Sequence, residues 1–209
     1  MKILLIARMG SKRLPGKHLL KLPNNKYCIQ NLVDSILTNY RQSDIVLCTT
    51  DSIKENVLIE CIASLYPDIS IYRGDELNVL KRIRNCINFY KIKSFIRING
   101  DNVLIPSGLI KSIELIHTTF KYDFTSNTHP VKSLPPGMTV QICETSFFYE
   151  YYNQNKDDAY CQEHVFSRVE EYTRNYSNII FNQGLEFPLD DYALDTLEDF
   201  NKILNTWNL

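Results

Sequence analysis

The amino-acid sequence predicts an α/β fold in which a mostly parallel sheet is flanked by helices. A continuous apolar run at 3–7 opens the chain, as expected of a strand that is covered on both faces. Strand-like and helix-like patterns then alternate over 1–120, and this alternation is typical of parallel sheets. The length of 209 residues, of which 44% are hydrophobic, suffices for one well-buried domain, which we expect to span 1–209.

The elements of the first half follow from local patterns. Strands are predicted at short apolar or β-branched runs, at 3–7, 44–49, 69–72 and 94–99. Helices are predicted where apolar residues recur at helical spacing, at 29–40, 58–65, 80–90 and 109–117. Ligands of such a sheet bind beyond the carboxyl ends of its strands. We therefore expect the polar junctions after the four strands to form the site, at 8–17, 49–51, 73–76 and 100–102.

The second half is less regular. Strands are predicted at 122–126 and 139–143, with a proline-rich loop between them. Helical patterns follow at 146–154 and 160–172, then a short strand at 178–181 and a final helix at 196–207. Nothing in this half resembles a linker or an internal repeat, so a single domain remains the economical prediction.

Composition and charge exclude several classes of protein. Lys and Arg total 23 against 24 Asp and Glu, a formal net charge of −1, so a protein held on nucleic acid by its overall field is disfavoured. No apolar run approaches the roughly 20 residues that span a bilayer, so no membrane partner is expected. The six cysteines lack CxxC spacing and lie mostly in apolar segments, which indicates reduced core residues of a cytoplasmic protein.

The loop after the first strand is the most informative segment. It reads RMGSKRLPGK and places four cations, two glycines and a serine within ten residues. Glycines let the backbone approach an anion, while Arg and Lys neutralise phosphate oxygens. Five residues separate Gly10 from Gly16 and His18 follows Lys17, so the spacing is not that of a P-loop, and no GxGxxG is present. The alternative to a phosphate-binding loop is a solvated basic loop.

These ten residues are similar to the ARMGSTRLPGK signature of the cytidylyltransferases typified by SpsF, relatives of the CMP-Kdo and CMP-sialic acid synthetases. The resemblance continues in order along essentially the whole chain, through seven further motifs: TTD at 49–51, YRGDELNVLKR at 72–82, IRINGDNVLI at 96–105, SNT at 126–128, PPGMTVQI at 135–142, QEHV at 162–165 and LDTLEDF at 194–200. Each motif alone is modest, but eight of them in the right order are specific.

The resemblance implies a Rossmann-like nucleotidyltransferase fold with a small acceptor-side lobe. It also implies an enzyme that uses CTP and Mg²⁺, releases pyrophosphate and makes an activated sugar for surface polysaccharide or glycoconjugate biosynthesis. The nucleotide-binding half would be roughly 1–120, the acceptor or dimer side 121–190, and the C-terminal metal motif and helix 191–209.

Site residues carried over from the family fall into three groups. The opening loop wraps the triphosphate in that family, which assigns CTP contacts to Arg8, Met9, Gly10, Ser11, Arg13 and Lys17, with Lys12 a weaker candidate. The base, ribose and phosphate contacts are completed by Thr50, Asp51, Arg73, Asn99 and Asp101. Mg²⁺ would be held by Asp101 and Asp195, although Asp195 could instead simply start the last helix. Catalytic roles are expected for Arg8, Arg13, Lys17 and Asp101.

The acceptor side departs from the family pattern. Its candidates are Asn127, Gln141, Glu163 and His164. Where relatives tend to read PDGLDVEVF this chain reads PPGMTVQIC, so Thr139 and Gln141 replace two acidic residues. This loss of negative charge favours an anionic acceptor, a sugar acid or a phosphorylated compound. Arg97 lies on a strand whose apolar neighbours predict burial, so we expect it to point at the ligand site or to pair with a carboxylate.

Two other functions stay open from the sequence. A glycosyltransferase would use a nucleotide sugar and a DxD motif, whereas the chain reads Asp101-Asn102-Val103. A non-catalytic relative would bind CTP without releasing pyrophosphate. A homodimer is plausible from the family resemblance and from the aromatic run within 147–152, whose residues could equally belong to the core.

Overall fold

The computed structural model describes residues 1–128, 131–172, 175–181 and 190–206, and within them seven strands form one sheet. The strands are β1 Lys2–Ile6, β2 Ile45–Thr50, β3 Ser70–Gly74, β4 Ser94–Asn99, β5 Phe124–Ser126, β6 Gln141–Glu144 and β7 Tyr176–Asn178. The α-helices are α1 Cys28–Leu37, α2 Asn56–Leu65, α3 Val79–Tyr90, α4 Ser107–Phe120, α5 Thr145–Asn155, α6 Ala159–His164 and α7 Leu197–Thr206.

The sheet has the order β3-β2-β1-β4-β6-β5-β7 and is parallel except at one strand. β1 pairs in parallel with β2 and β4, and β2 with β3. Only β6 is antiparallel to its two neighbours, β4 and β5. The carboxyl ends of β1 to β4 therefore share one edge, which is where this class of sheet binds its ligands. The predicted mostly parallel α/β fold is confirmed.

Helices cover both faces of the sheet, which explains why β1 is a continuous apolar run. Ile3 and Leu5 pack into the cluster formed with α1, α2 and α4, while Leu4 and Ile6 pack on the opposite face against α3 and α5. All four side chains are at most 9% exposed. Successive strand residues point to opposite faces, so a strand covered on both sides needs apolar residues at every position.

The helix predicted at 160–172 ends early. α6 stops at His164, because Val165 takes a φ of 26° and leaves the helical path. Val165 and Phe166 are then fully buried, against the aromatic side chains of α5 among others. Only a short 3₁₀ turn at Val169–Glu171 follows. The helix therefore ends where the chain turns to bury Val165 and Phe166, two consecutive apolar residues.

The strand predicted at 178–181 lies earlier, at Tyr176–Asn178. It pairs in parallel with β5, Phe124 opposite Tyr176, and this register fixes its start. The predicted end of the last helix, Trp207, lies outside the described residues, as do residues 129–130 of the proline-rich loop.

The aromatic run of α5 belongs largely to the core. Phe147, Phe148 and Tyr151 are at most 6% exposed and pack around Phe166, so this run no longer supports a homodimer. All six cysteines are unpaired, and five of them are buried. No helix in the described part of the chain is long and apolar enough to span a membrane.

Candidate active site

A cleft of about 750 Å³ lies at the carboxyl edge of the sheet. Its walls come from the loop after β1, the end of β4, the first turns of α3, the polar side of α6, and Asp195 before α7. Three of the four polar junctions predicted from the strand ends thus meet here. The cleft is of the size that binds small molecules and cofactors.

The loop after β1 folds back on itself over the strand end. The Gly16 amide donates to the carbonyl of Met9 at 3.1 Å, and Gly16 has a φ of 73°, a conformation that costs glycine little. The Leu14 amide donates to the Ser11 hydroxyl at 3.3 Å. Of the loop residues predicted to bind CTP, five line the cleft: Arg8, Gly10, Ser11, Arg13 and Lys17. Lys12, the weaker candidate, lines it too, whereas Met9 does not.

Lys17 joins the two predicted carboxylates. Its ammonium nitrogen lies 3.0 Å from Asp101 Oδ2 and 3.0 Å from Asp195 Oδ1, and the side chain is 8% exposed. Arg13 holds the second oxygen of Asp195 at 2.7 Å. The backbone supports the same geometry, because the Leu194 amide donates to the Asp101 carbonyl at 3.0 Å. Residues far apart in sequence therefore form one cluster of charges.

Asp195 does not cap the last helix. The Thr196 hydroxyl accepts from the Asp199 amide at 3.2 Å, and the Asp199 carboxylate accepts from the Thr196 amide at 2.8 Å. These two reciprocal hydrogen bonds satisfy backbone amides at the start of α7, as in a capping box. The carboxylate of Asp195 is left to face the cleft.

The donor set of the cluster fits Mg²⁺. Mg²⁺ usually takes one or two carboxylates and fills its other positions with phosphate oxygens and water. Asp101 and Asp195 share one cation, Lys17, so their carboxylates already converge. No group of three or more His, Cys, Asp or Glu with metal-binding geometry occurs among the described residues.

His18 fixes the end of β4 beneath the loop. Its side chain is buried, and Nδ1 lies 3.2 Å from the Gly100 carbonyl. Burial, and secondarily the charge of Lys17, lower the pKa of His18 to about 4 although Asp101 acts in the opposite direction. The ring is therefore neutral at neutral pH, and its contacts are those of a structural residue.

The junction after β2 does not line the cleft. Thr49 and Thr50 donate their hydroxyl protons to the buried carboxylate of Glu55, at 2.8 and 3.1 Å. Arg73 donates to the carbonyls of Asp51 and Ser52, at 3.1 and 2.8 Å. Thr50, Asp51 and Arg73 were predicted to contact the base and ribose. Instead, Thr50 bonds to Glu55, and Arg73 bonds to the backbone of Asp51, beside the cleft.

Glu55 is a residue that the sequence analysis missed. It is 1% exposed, and both of its oxygens accept from the Met9 amide at 3.0 Å. Through these contacts the β2 junction positions the start of the loop after β1. The only sequence signal is an acidic residue near a run of threonines, which by itself indicates a helix start.

The four acceptor candidates are divided by the structure. Glu163 and His164, on α6, line the cleft, and so does Asn99 at the end of β4. Asn127 is buried and uses both ends of its amide on the backbone, donating to Met138 O at 2.7 Å and accepting from Val140 N at 2.9 Å. Gln141 is 3% exposed and accepts from Arg97 Nη1 at 2.5 Å. Neither residue lines the cleft: Gln141 contacts the lining residue Arg97, whereas Asn127 bonds to the backbone of Met138 and Val140.

Two arginines complete the wall of the cleft. Arg97 lines it, as predicted, but its partner is an amide and not a carboxylate. Arg82, on α3, also lines it and had no predicted role of its own. The signal that could have found Arg82 is its position among the buried residues of α3, a cation on an otherwise apolar face.

The chain is similar to known cytidylyltransferases. A family model described as cytidylyltransferase matches residues 3–206. The chain is 30% identical over 213 residues to the spore coat polysaccharide biosynthesis protein SpsF of Bacillus subtilis, with 94% of this chain and 82% of SpsF covered.

Two solved structures are similar as well. A cytidylyltransferase from Leptospira borgpetersenii is 25% identical with a TM-score of 0.85, over 97% of this chain and 84% of that one. A CMP-2-keto-3-deoxy-manno-octonic acid synthetase complexed with CTP is 13% identical with a TM-score of 0.69, over 99% of this chain and 98% of that one, which shows a common fold. The expected Rossmann-like nucleotidyltransferase fold is confirmed, and the chain belongs to the cytidylyltransferase family.

Proposed function

We propose that this protein transfers CMP from CTP to a sugar acid or a phosphorylated small molecule, with release of pyrophosphate, for surface polysaccharide or glycoconjugate biosynthesis. The observation that carries the proposal is the cluster of Lys17, Asp101 and Asp195 beside a cationic loop, within one cleft. Its similarity to SpsF, a polysaccharide biosynthesis protein, and to a CMP-2-keto-3-deoxy-manno-octonic acid synthetase supports transfer of CMP to a sugar-like acceptor.

The reaction is an in-line displacement at the α-phosphorus of CTP. An acceptor oxygen forms the new bond to phosphorus, the bond to the oxygen that bridges to the β-phosphate breaks, and any proton on the acceptor oxygen is released. Such transfers depend on positioning and on neutralisation of charge. Arg8, Arg13 and Lys17 line the cleft from the loop, so their charges would stabilise the leaving pyrophosphate.

Asp101 and Asp195 would hold Mg²⁺ together with phosphate oxygens. When bound, the ion would supply charge neutralisation at the α-phosphate and lower the pKa of an oxygen bound to it. The chain's own contribution is to converge the two carboxylates, which Lys17 and Arg13 do through contacts of 2.7–3.0 Å.

Pyrophosphate release tests the proposal. CTP, UTP, GTP and ATP are each incubated with Mg²⁺ and a panel of acidic sugars and phosphorylated small molecules. We expect release with CTP and an anionic acceptor. Release that requires no acceptor, or a preference for another nucleotide, would contradict it. Hydrolysis of a nucleotide sugar instead would indicate a glycosyltransferase, and CTP binding without release would indicate a non-catalytic relative.

Substitutions at the cluster sharpen the test. Asp101→Asn and Lys17→Ala should each lower turnover by at least about 100-fold, because each removes charge that the transition state needs. Circular dichroism should show that both variants fold. Lys111→Ala removes an exposed lysine on α4, paired with Glu114, and serves as the matched control with unchanged turnover. Near wild-type release from either cluster variant would refute the assigned roles.

A further inference from the structure

Two guanidinium groups in the cleft lack an anionic partner. Arg82 comes from α3 and Arg97 from β4, and both line the same cleft as the phosphate-binding loop. The Nε atom of each is enclosed by protein and has no hydrogen-bond partner. No salt bridge joins either of them to a carboxylate in the described part of the chain. An enclosed donor without a partner is rare and costly, so each of these atoms needs an explanation.

Arg82 is held firmly in place. Its side chain is 1% exposed, and Nη1 donates to the carbonyl of Asp75 at 2.9 Å. Burial, and to a lesser degree the charge of Arg8, lower the pKa of Arg82, which the nearby Cys48 thiol opposes. A guanidinium remains protonated at neutral pH even after such a decrease. A positive charge is therefore fixed at the wall of the cleft.

Arg97 carries a second fixed charge beside it. It is partly buried, and burial lowers the pKa of Arg97 to about 10, so it too is protonated at neutral pH. Its one hydrogen-bond partner, Gln141, accepts through a neutral amide oxygen. A glutamine orients the guanidinium without pairing with its charge, and the more distant Asp101, and secondarily Cys48, act to raise the pKa of Arg97 against the effect of burial. A carboxylate in the position of Gln141 would instead neutralise the guanidinium directly.

The two arginines lie on the α3 side of the cleft, which Arg8 of the loop also reaches through its contact with the Glu76 carbonyl at 3.0 Å. Arg97 pairs in register with Leu4, and Leu4 packs toward α3, so Arg97 and Arg82 lie on the α3 face of the sheet. Lys17 and Arg13 are occupied by the carboxylates of Asp101 and Asp195. Arg82 and Arg97 thus give the α3 side of the cleft positive charge that no salt bridge in the described part of the chain neutralises.

We infer that Arg82 and Arg97 form a subsite for an anionic group of the acceptor, a carboxylate or a phosphate, and that Gln141 keeps this subsite cationic. The inference rests on the proposed function and names the residues that select its second substrate. Guanidinium groups suit this task because their parallel N–H groups match the paired oxygens of both anions. The residues Glu163 and His164 of α6 line the same cleft and would contact the remainder of the acceptor.

Binding to the full-length protein tests the subsite. The protein is saturated with Mg²⁺ and the α,β-methylene analogue of CTP, so that no turnover occurs, and is titrated calorimetrically with three probes. The probes are 2-keto-3-deoxy-manno-octonate for a carboxylate, glucose 1-phosphate for a phosphate, and glucose as the neutral compound. We expect at least one anionic probe to bind ten times more tightly than glucose, and the stronger probe identifies the anion.

Four variants separate charge from structure. Arg82→Gln, Arg97→Gln and Gln141→Glu should each weaken the anionic probe at least tenfold, the last because a carboxylate now neutralises Arg97. Gln141→Glu is nearly isosteric and keeps the test valid if an arginine variant does not fold. Affinity for the CTP analogue should stay within twofold. Arg84→Gln removes a guanidinium from the same helix, near Tyr152, and should change nothing.

The outcomes are distinct. Wild-type protein that binds neither anionic probe better than glucose overturns the inference, as do variants that retain tight anion binding. A parallel loss of affinity for the CTP analogue overturns it too, because the arginines would then belong to the triphosphate site. Failure of the wild-type protein to bind the CTP analogue at all refutes the proposed function itself.

Discussion

A single buried carboxylate, Glu55, organises the start of the loop after β1. It accepts from the Met9 amide with both oxygens and from the hydroxyls of Thr49 and Thr50. These contacts explain part of the TTD motif, because both of its threonines donate to Glu55, which in turn holds the Met9 amide of the loop. The TTD motif therefore lies beside the cleft, and Thr50 affects the loop only indirectly, through Glu55.

Replacement of this carboxylate tests its role. Glu55→Gln keeps the shape but places an amide group, a donor, where a second acceptor stood opposite the Met9 amide. We expect a loss of about 1–3 kcal/mol in the free energy of unfolding, and weaker CTP binding, because a buried donor loses its partner. Urea unfolding and CTP titration measure the two effects. Glu60→Gln, at an exposed position of α2, is the control, and equal behaviour of the two variants would contradict the role of Glu55.

For individual residues, the sequence predicted which charged side chains line the cleft better than it predicted which groups those side chains contact. Arg8, Arg13, Lys17 and Asp101 could be predicted because cations and carboxylates at strand ends point to a definite chemistry. The acceptor role of Asn127 was predicted from its motif alone, yet its amide is fully used by the backbone around Val140. Partner choice depends on three-dimensional contacts, which a single sequence does not contain.

At the scale of elements, the proline-rich loop before β6 holds the C-terminal segment against the sheet. The Tyr192 amide donates to the Pro136 carbonyl at 2.8 Å. Gly137 follows with a φ of 84°, and a Cβ there would lie 2.2 Å from the carbonyl carbon of Tyr192. Only glycine allows so close an approach of two backbones. The position of Asp195, three residues after Tyr192, depends on this contact.

Gly137→Ala should therefore damage both stability and activity. The added methyl group meets backbone atoms in a conformation that alanine rarely adopts, so we expect a loss of about 2–4 kcal/mol in unfolding free energy. Turnover should fall as well, since the segment that carries Asp195 must move. Thermal unfolding and pyrophosphate release measure these effects. Gly108→Ala, in α4 with nothing within 4 Å of the new methyl group, should leave both unharmed, and similar losses in the two variants would refute this account.

Helices and strands could be predicted where apolar residues recur at regular spacing over a short stretch of sequence. β1 to β4 and α1 to α4 follow from runs and spacings of a few residues, and β4 was predicted at its observed bounds. The prediction failed at 160–172, because Val165 and Phe166 are drawn into the core by contacts with distant residues. The predicted position of β7 was too late in the chain, because the register of that strand is set by its pairing with β5, about 50 residues earlier.

At the scale of the whole molecule, buried histidines make stability depend on pH. His117 is 2% exposed and contacts Thr125 at 2.8 Å and Glu144 at 3.3 Å. Burial lowers the pKa of His117, although the hydrogen bond and charge of Glu144 act to raise it. The unfolded chain keeps a histidine pKa near 6.5, so it binds more protons than the folded protein as the pH falls. Stability from this group is full above about pH 6.5 and decreases below it.

His117→Gln should flatten this dependence. Urea unfolding at pH 7.5 and pH 5.5 should show a smaller loss of stability in the variant than in the wild-type protein, because one buried group no longer takes up a proton on unfolding. The exposed His164, replaced by Gln, is the control and should leave the wild-type slope unchanged. Identical slopes for all three proteins would contradict the argument.

The cluster around Lys17 can be completed only late in the synthesis of the chain. Its ammonium contacts Asp101, 84 residues further along the chain, and Asp195, 178 residues along. Ribosomes make the chain from its N-terminus, so the loop, β1 to β4 and the first carboxylate all emerge before the second carboxylate exists. A nascent chain that stops short of residue 195 can form most of the sheet and yet has an incomplete site. With the proposed roles of Asp101 and Asp195, activity would therefore begin only after the second carboxylate has left the ribosome and docked on the sheet that precedes it.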